Sequence, residues 1–230
     1  MIAHKKTFGI GLGMMVSFGI VLALIFLPLY GGQNGLNYLD SLYNSISKGS
    51  AYYIPAVKEE VQGFVGKTVT VKLTAEDTAT ARQTALLFDK VGRDVRTEVF
   101  GADLTVSGDL GKVLESCLAD ADLMYHNDGA RIRSIYSTDE RQVVYNWYRA
   151  LSEMETDLKR QKKFKEAKVV SLVIQKAVEC SYNYYTIEPK KITDALGIVV
   201  FSLVFYVIYT LWYGFAVMFM FEGWGMKLEH

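Results

Sequence analysis

Apolar residues in this chain gather into two uncharged runs, one from Thr7 to about Tyr30 and one from Ala195 to Phe221. Each exceeds the roughly 20 residues an α-helix needs to cross a ~30 Å hydrocarbon layer. The pattern between them is mixed and reads as a water-exposed domain. It predicts a membrane protein of α+β class. Two transmembrane helices flank an extracytoplasmic domain that has a small βαβα part and long helices leading to the second span. Residues 1–30 form a cytoplasmic N-terminus and first span, 31–136 an α+β subdomain, 137–194 a long helical segment, 195–221 the second span and 222–230 a short cytoplasmic tail.

Inside the central region the periodicity changes several times. Leu39, Leu42, Tyr43 and Ile46 recur at helical spacing, as do Val57, Val61, Phe64 and Val65 after Pro55. Thr68 to Leu73 alternates and is β-branched, which predicts a strand. Thr74 can cap the next helix, with Asp77 in the capping-box position. Residues 96–107 predict one or two strands around Gly101, and 109–125 another helix. Arg131 to Tyr136 alternates and reads as a further strand. From Ser137 to Ile187 there is neither glycine nor proline. Ser137 and Glu140 form a capping box. Val144, Trp147, Leu151, Met154 and Leu158 then follow heptad spacing. The lysine-rich stretch from Lys159 to Lys168 is expected to hinge two helices, because one 50-residue helix would reach roughly 75 Å.

Charge sharpens the division. Of 25 Lys and Arg, only Lys5, Lys6 and Lys227 lie outside residues 31–194; of 25 Asp and Glu, only Glu222 and Glu229 do. The central region is near neutral, which gives no electrostatic footprint for nucleic acid. Lys5 and Lys6 precede the first run and no Lys or Arg follows until Lys48, so the positive-inside rule places both termini in the cytoplasm and the central domain in the periplasm or outside the cell. Lys190 and Lys191, just before the second run, oppose this orientation. The first run is too long for the apolar core of a cleaved signal and reads as an anchor in the inner membrane. Leu228 to His230 reads either as native or as the start of a tag.

Several residues are candidates for contact or chemistry. Gly9, Gly13 and Ser17 recur every four positions and predict a helix–helix interface. Tyr206, Tyr209 and Tyr213 share one face of the second run and suit a partner helix, because hydroxyls buried in lipid need acceptors. Cys117 and Cys180 fit buried thiols that behave as small apolar residues; a disulfide between them is the alternative. His126 lies in an Asn-Asp-Gly turn with no second histidine in the domain, so no metal site is expected. There is no nucleophile elbow and no phosphate-binding glycine loop. No catalytic, cofactor or metal residue is assigned.

These observations favour a non-catalytic structural or accessory subunit, in contact with membrane lipid and assembled with itself or with other membrane subunits. The alternatives are a channel or pore subunit with a large ectodomain, a membrane-anchored enzyme whose site forms only in three dimensions, and an extracytoplasmic sensor. Because only nine residues follow Phe221 in this sequence, a sensor would be expected to need a partner to carry its signal.

Overall fold

The computed structural model describes residues 2–226. The expectation for Leu228 to His230 therefore lies outside the described residues. Among the described residues the fold is mixed and helix-dominant, with one three-stranded sheet and two helices long and apolar enough to cross a membrane. The chain divides into two compact units, Met1–Ser50 together with Pro189–His230, and Ala51–Glu188.

In the first unit, α1 spans Lys5–Phe26 and stops before Pro28, which cannot continue the hydrogen-bond ladder. The chain turns through Gly31 and Gly32, both at positive φ, into α2, Gly35–Ser50. After a 3-10 turn at Ile192–Ala195 comes α10, Leu196–Trp224. It ends on Gly225 at φ +88°, a left-handed cap that glycine adopts without penalty. Helices α1 and α10 run antiparallel: the His4 N–H donates to Gly223 O at 2.9 Å, while Phe18 meets Tyr209 half-way along. Leu42 and Ile46 of α2 pack on Ala195 and Val199.

The second unit carries the main core. Helix α3 (Ile54–Gln62) has proline in its first turn, where a missing N–H costs nothing. Strand β1 (Thr68–Thr74) points Val69, Val71 and Leu73 inward. Helix α4 (Thr78–Asp89) follows, then β2 (Val95–Phe100) and β3 (Asp103–Asp109), joined by a turn at Gly101. The sheet order is β1-β3-β2 and both pairs are antiparallel. The expected βαβα part is thus βαββα: residues 96–107 form a hairpin, and α5 (Leu110–Tyr125) starts directly after β3.

Three local expectations are corrected. Arg131 to Tyr136 is not a strand but lies in helix α6 (Gly129–Tyr136). Its two buried large residues, Ile132 and Tyr136, are four apart, a spacing that serves one helix face as well as alternate strand positions. Asp77, not Thr74, caps α4, accepting from Thr80 N at 2.7 Å; the Thr74 hydroxyl donates instead to Asp103 across the sheet. Asp139, not Ser137, caps α7 (Glu140–Arg160), accepting from Arg141 N and Gln142 N. Ser137 ends α6 in the left-handed region. In both cases a carboxylate nearer the helix outcompetes the hydroxyl, because its charge also meets the helix dipole.

The chain breaks at Gln161–Lys163, with Lys162 at positive φ, before α8 (Phe164–Val173). A π-helical turn at Ile174–Val178 leads into α9 (Glu179–Asn183). Val144, Trp147, Leu151, Met154 and Leu158 are all buried in the core. Asn127 ties down the exit of the unit: its side chain accepts from Thr186 N and donates to Ile187 O and Glu188 Oε1.

Candidate functional site

The α1–α10 pair is the first candidate. Of α1 only Gly11 is buried, and of α10 only Val199, Ala216 and Gly223. A Cβ on Gly11 would stand 2.6 Å from Met220 N, and one on Gly223 would stand 2.5 Å from Phe8 N. These two glycines let the backbones touch, which is how helices associate where no hydrophobic effect drives them. Further along, Tyr209 stacks on Phe18 with ring centroids 4.1 Å apart and donates to Phe18 O at 3.2 Å. Tyr213 tilts against the same ring at 5.2 Å.

The partly covered residues of α1 include Thr7, Met14, Phe18, Val21 and Ile25, which with Gly11 step alternately by four and three. That is a heptad seam. Gly9 lies on the opposite face and Gly13 flanks the seam, and among the described residues nothing comes within 4 Å of where a Cβ on either would be. Within one chain, then, the predicted Gly9–Gly13 face does not carry the contact. Of the predicted tyrosines, Tyr209 and Tyr213 join the seam and Tyr206, 69 % exposed, does not. Gly11 takes the α10 contact because it falls on this 4–3 seam, whereas the spacing of four through Gly9 and Gly13 marks a different face of α1.

Hydroxyls along the apolar helices find acceptors nearby. Ser17 donates to Gly13 O and Met14 O, Thr210 to Tyr206 O, and Ser202 shares a 2.7 Å bond with Tyr43. Beside the seam runs a groove of about 600 Å³ lined by Gly13, Met14, Ser17, Leu211, Trp212 and Phe215.

The second candidate is a groove of about 690 Å³ with mixed polar and apolar lining in the Ala51–Glu188 unit. Tyr52 donates to Asp122 Oδ1 at 2.7 Å. Burial, and then the adjacent Asp122 carboxylate, push the Tyr52 hydroxyl up to about 12. It therefore stays protonated at neutral pH and serves as a donor, not a base. His126 Nδ1 lies 2.9 Å from Asp122 O and stacks edge-on to Tyr52. Behind them Asp120 is buried, and its Oδ2 accepts from Tyr136 O–H at 2.6 Å and Trp147 Nε1 at 2.8 Å. Burial raises the Asp120 carboxyl above the usual range, although both donors favour its charged form. Nearby, Glu140 accepts from Tyr185 and Arg133, each at 2.7 Å. These bonds hold its carboxyl below the ordinary value.

No local spacing marks the Asp120–Tyr136–Trp147 cluster, because its members come from three helices, α5, α6 and α7. Cys117 is buried, Cys180 is half-buried, and both are free thiols; no disulfide joins them. Burial raises both thiols, so neither is an activated nucleophile. Among the described residues no group of three or more His, Cys, Asp or Glu is placed to hold a metal ion. No protein-family model, no curated protein and no solved structure matches the chain.

Proposed function

We propose that this chain is a two-pass protein of the inner membrane, with α1 and α10 as its spans. Its central domain lies outside the cytoplasm, and it serves as a non-catalytic structural or accessory subunit of a homo- or hetero-oligomeric membrane complex. One observation carries this reading. The paired helices turn large apolar side chains away from each other: Ile10, Val16, Ile20, Phe201, Val204, Val207 and Leu211 are all exposed. Each such side chain is worth roughly 1.5–3 kcal/mol on transfer from water to an apolar phase. A surface of this kind is stable only in lipid or against other apolar helices.

Lengths support the reading. α1 has 22 residues, or about 33 Å, and α10 has 29, or about 43 Å. The excess of α10 is accommodated by tilt. Lys5 and Lys6 at the start of α1 favour a cytoplasmic N-terminus. Assembly is supported by the open Gly9–Gly13 face and the groove lined by Trp212 and Phe215, which offer shape for another helix.

Extraction in mild detergent, followed by measurement of particle mass and composition, tests the assignment. A defined oligomer, or a particle holding other subunits, is expected. A monomeric particle would refute the assembly reading, and recovery of the chain from the aqueous fraction without detergent would refute the membrane reading.

A further inference from the structure

The sheet has two outer edges, and the chain treats them differently. Along β1, Lys72 N donates to Asp157 Oδ2 at 3.1 Å and Thr70 O accepts from Gln161 Nε2 at 2.8 Å. Asp157 lies in α7 and Gln161 is its C-cap residue, so the end of α7 lies along this edge and meets two of its outward groups. The same bonds fix the parity of the ladder. Thr70 and Lys72 turn their backbone groups outward, so Val69, Val71 and Leu73 turn theirs toward β3. Backbone direction alternates residue by residue. By the observed register, Asp103, Thr105 and Ser107 of β3 therefore bond Phe100, Glu98 and Arg96 of β2. The backbone groups of Val95, Thr97 and Val99 consequently point out of the sheet. Val95 N is held by Gly92 O at 3.3 Å, but among the described residues nothing meets the outward groups of Thr97 and Val99. The register of β2 with β3 is continuous, and the strand VRTEVF holds no proline, lysine or bulge of the kind that protects free edges.

We propose that β2 is a self-pairing edge: it joins β2 of a second copy of this chain, antiparallel, about a twofold axis at Thr97, to make one six-stranded sheet. This deepens the assembly reading above and rests on it. The sequence is complementary to itself in that register. Arg96 stands opposite Glu98 of the second copy and Glu98 opposite its Arg96, on the polar face of the sheet. Neither has an ion-pair partner within the chain among the described residues. Val95 stands opposite Val99, which is 38 % exposed on the core side and gains cover. Thr97 meets Thr97 with backbone groups of the outward parity, and its hydroxyl is already satisfied by Asp89 at 2.7 Å. Centring the axis on Arg96 or Glu98 would set like charges face to face, which is destabilising. Centring it on Val95 or Val99 would leave half of the strand unpaired. Phe100, 87 % exposed beside the turn, lies diagonal to Arg96 of the second copy.

The test uses the full chain in its membrane with Cys180→Ser, leaving only the buried Cys117. Thr97→Cys is added and treated with a short bismaleimide. The expected result is a crosslinked dimer of this chain. Arg96→Glu or Glu98→Arg alone should weaken the pairing about tenfold, and the double reversal should restore it. Both side chains are exposed, so these variants fold. An oligomeric particle that neither crosslinks at position 97 nor responds to single reversal overturns the β2 edge and leaves the assembly reading standing. Crosslinking only to a different protein overturns the second copy as occupant. A monomeric particle overturns both.

Discussion

Asp120 sits where burial and hydrogen bonding pull its titration in opposite directions, and burial wins. Its folded pKa lies above the unfolded value near 3.8. Between those two values the unfolded chain has released a proton that the folded chain keeps, so stability falls as pH rises through that window and levels off above it. Asp120→Asn keeps an acceptor for Tyr136 and Trp147 and removes the titration. Urea unfolding of the Ala51–Glu188 unit should show the variant gaining on wild type as pH rises from below 4; a parallel pH dependence would contradict this. Asp120→Ala strands two buried donors and should cost about 3 kcal/mol at any pH. Tyr209→Phe loses the bond to Phe18 O and should lower detergent stability by about 0.6 kcal/mol, measured by thermal unfolding. The Tyr209 contact is legible in the sequence, which sets this hydroxyl on a face that needs an acceptor, but the role of Asp120 is not. Asp120 looks like any helical acid until α6 and α7 bring Tyr136 and Trp147 to it, and those contacts span 16 and 27 positions.

At the scale of elements, period and burial agreed wherever a long stretch carried one pattern. The heptad of α7 and the alternation of β1 are both visible as spacing and both bury the residues that spacing selects. Short segments were less decisive. Six residues from Arg131 to Tyr136 satisfy two periods, and the Asp128 side chain, accepting from Arg131 N, tips them into a helix. In α1 the choice among glycines turned on a partner that sequence alone does not place. Substitution separates them. Gly11→Leu puts a side chain against the Met220 backbone and should destabilise the helix pair by about 2 kcal/mol, seen as a lower unfolding midpoint in detergent. Gly9→Leu and Gly13→Leu meet open space, so the midpoint should hold while the particle becomes smaller on size-exclusion. A smaller particle from Gly11→Leu with an unchanged midpoint would reverse the assignment of the two faces.

For the whole molecule, the gross plan follows from where charge is missing. Two uncharged runs become α1 and α10, and each remains apolar on its outer surface. What the sequence left open was the arrangement within the domain: whether residues 96–107 make one strand or the two of the observed hairpin, and which edge of the sheet α7 meets. These depend on long-range pairing, which local period does not encode.

The central claim is topological: both ends of the chain lie in the cytoplasm and the domain between the apolar helices lies outside. It is tested by labelling single cysteines with a membrane-impermeant maleimide in intact cells, or in spheroplasts where an outer membrane bars access. Lys165→Cys and Lys6→Cys, both at exposed positions, are compared in a Cys180→Ser background. Position 165 should label at once and position 6 only after permeabilisation. Labelling of position 6 alone would invert the orientation, and equal labelling of both before permeabilisation would contradict a chain that crosses the membrane at α1.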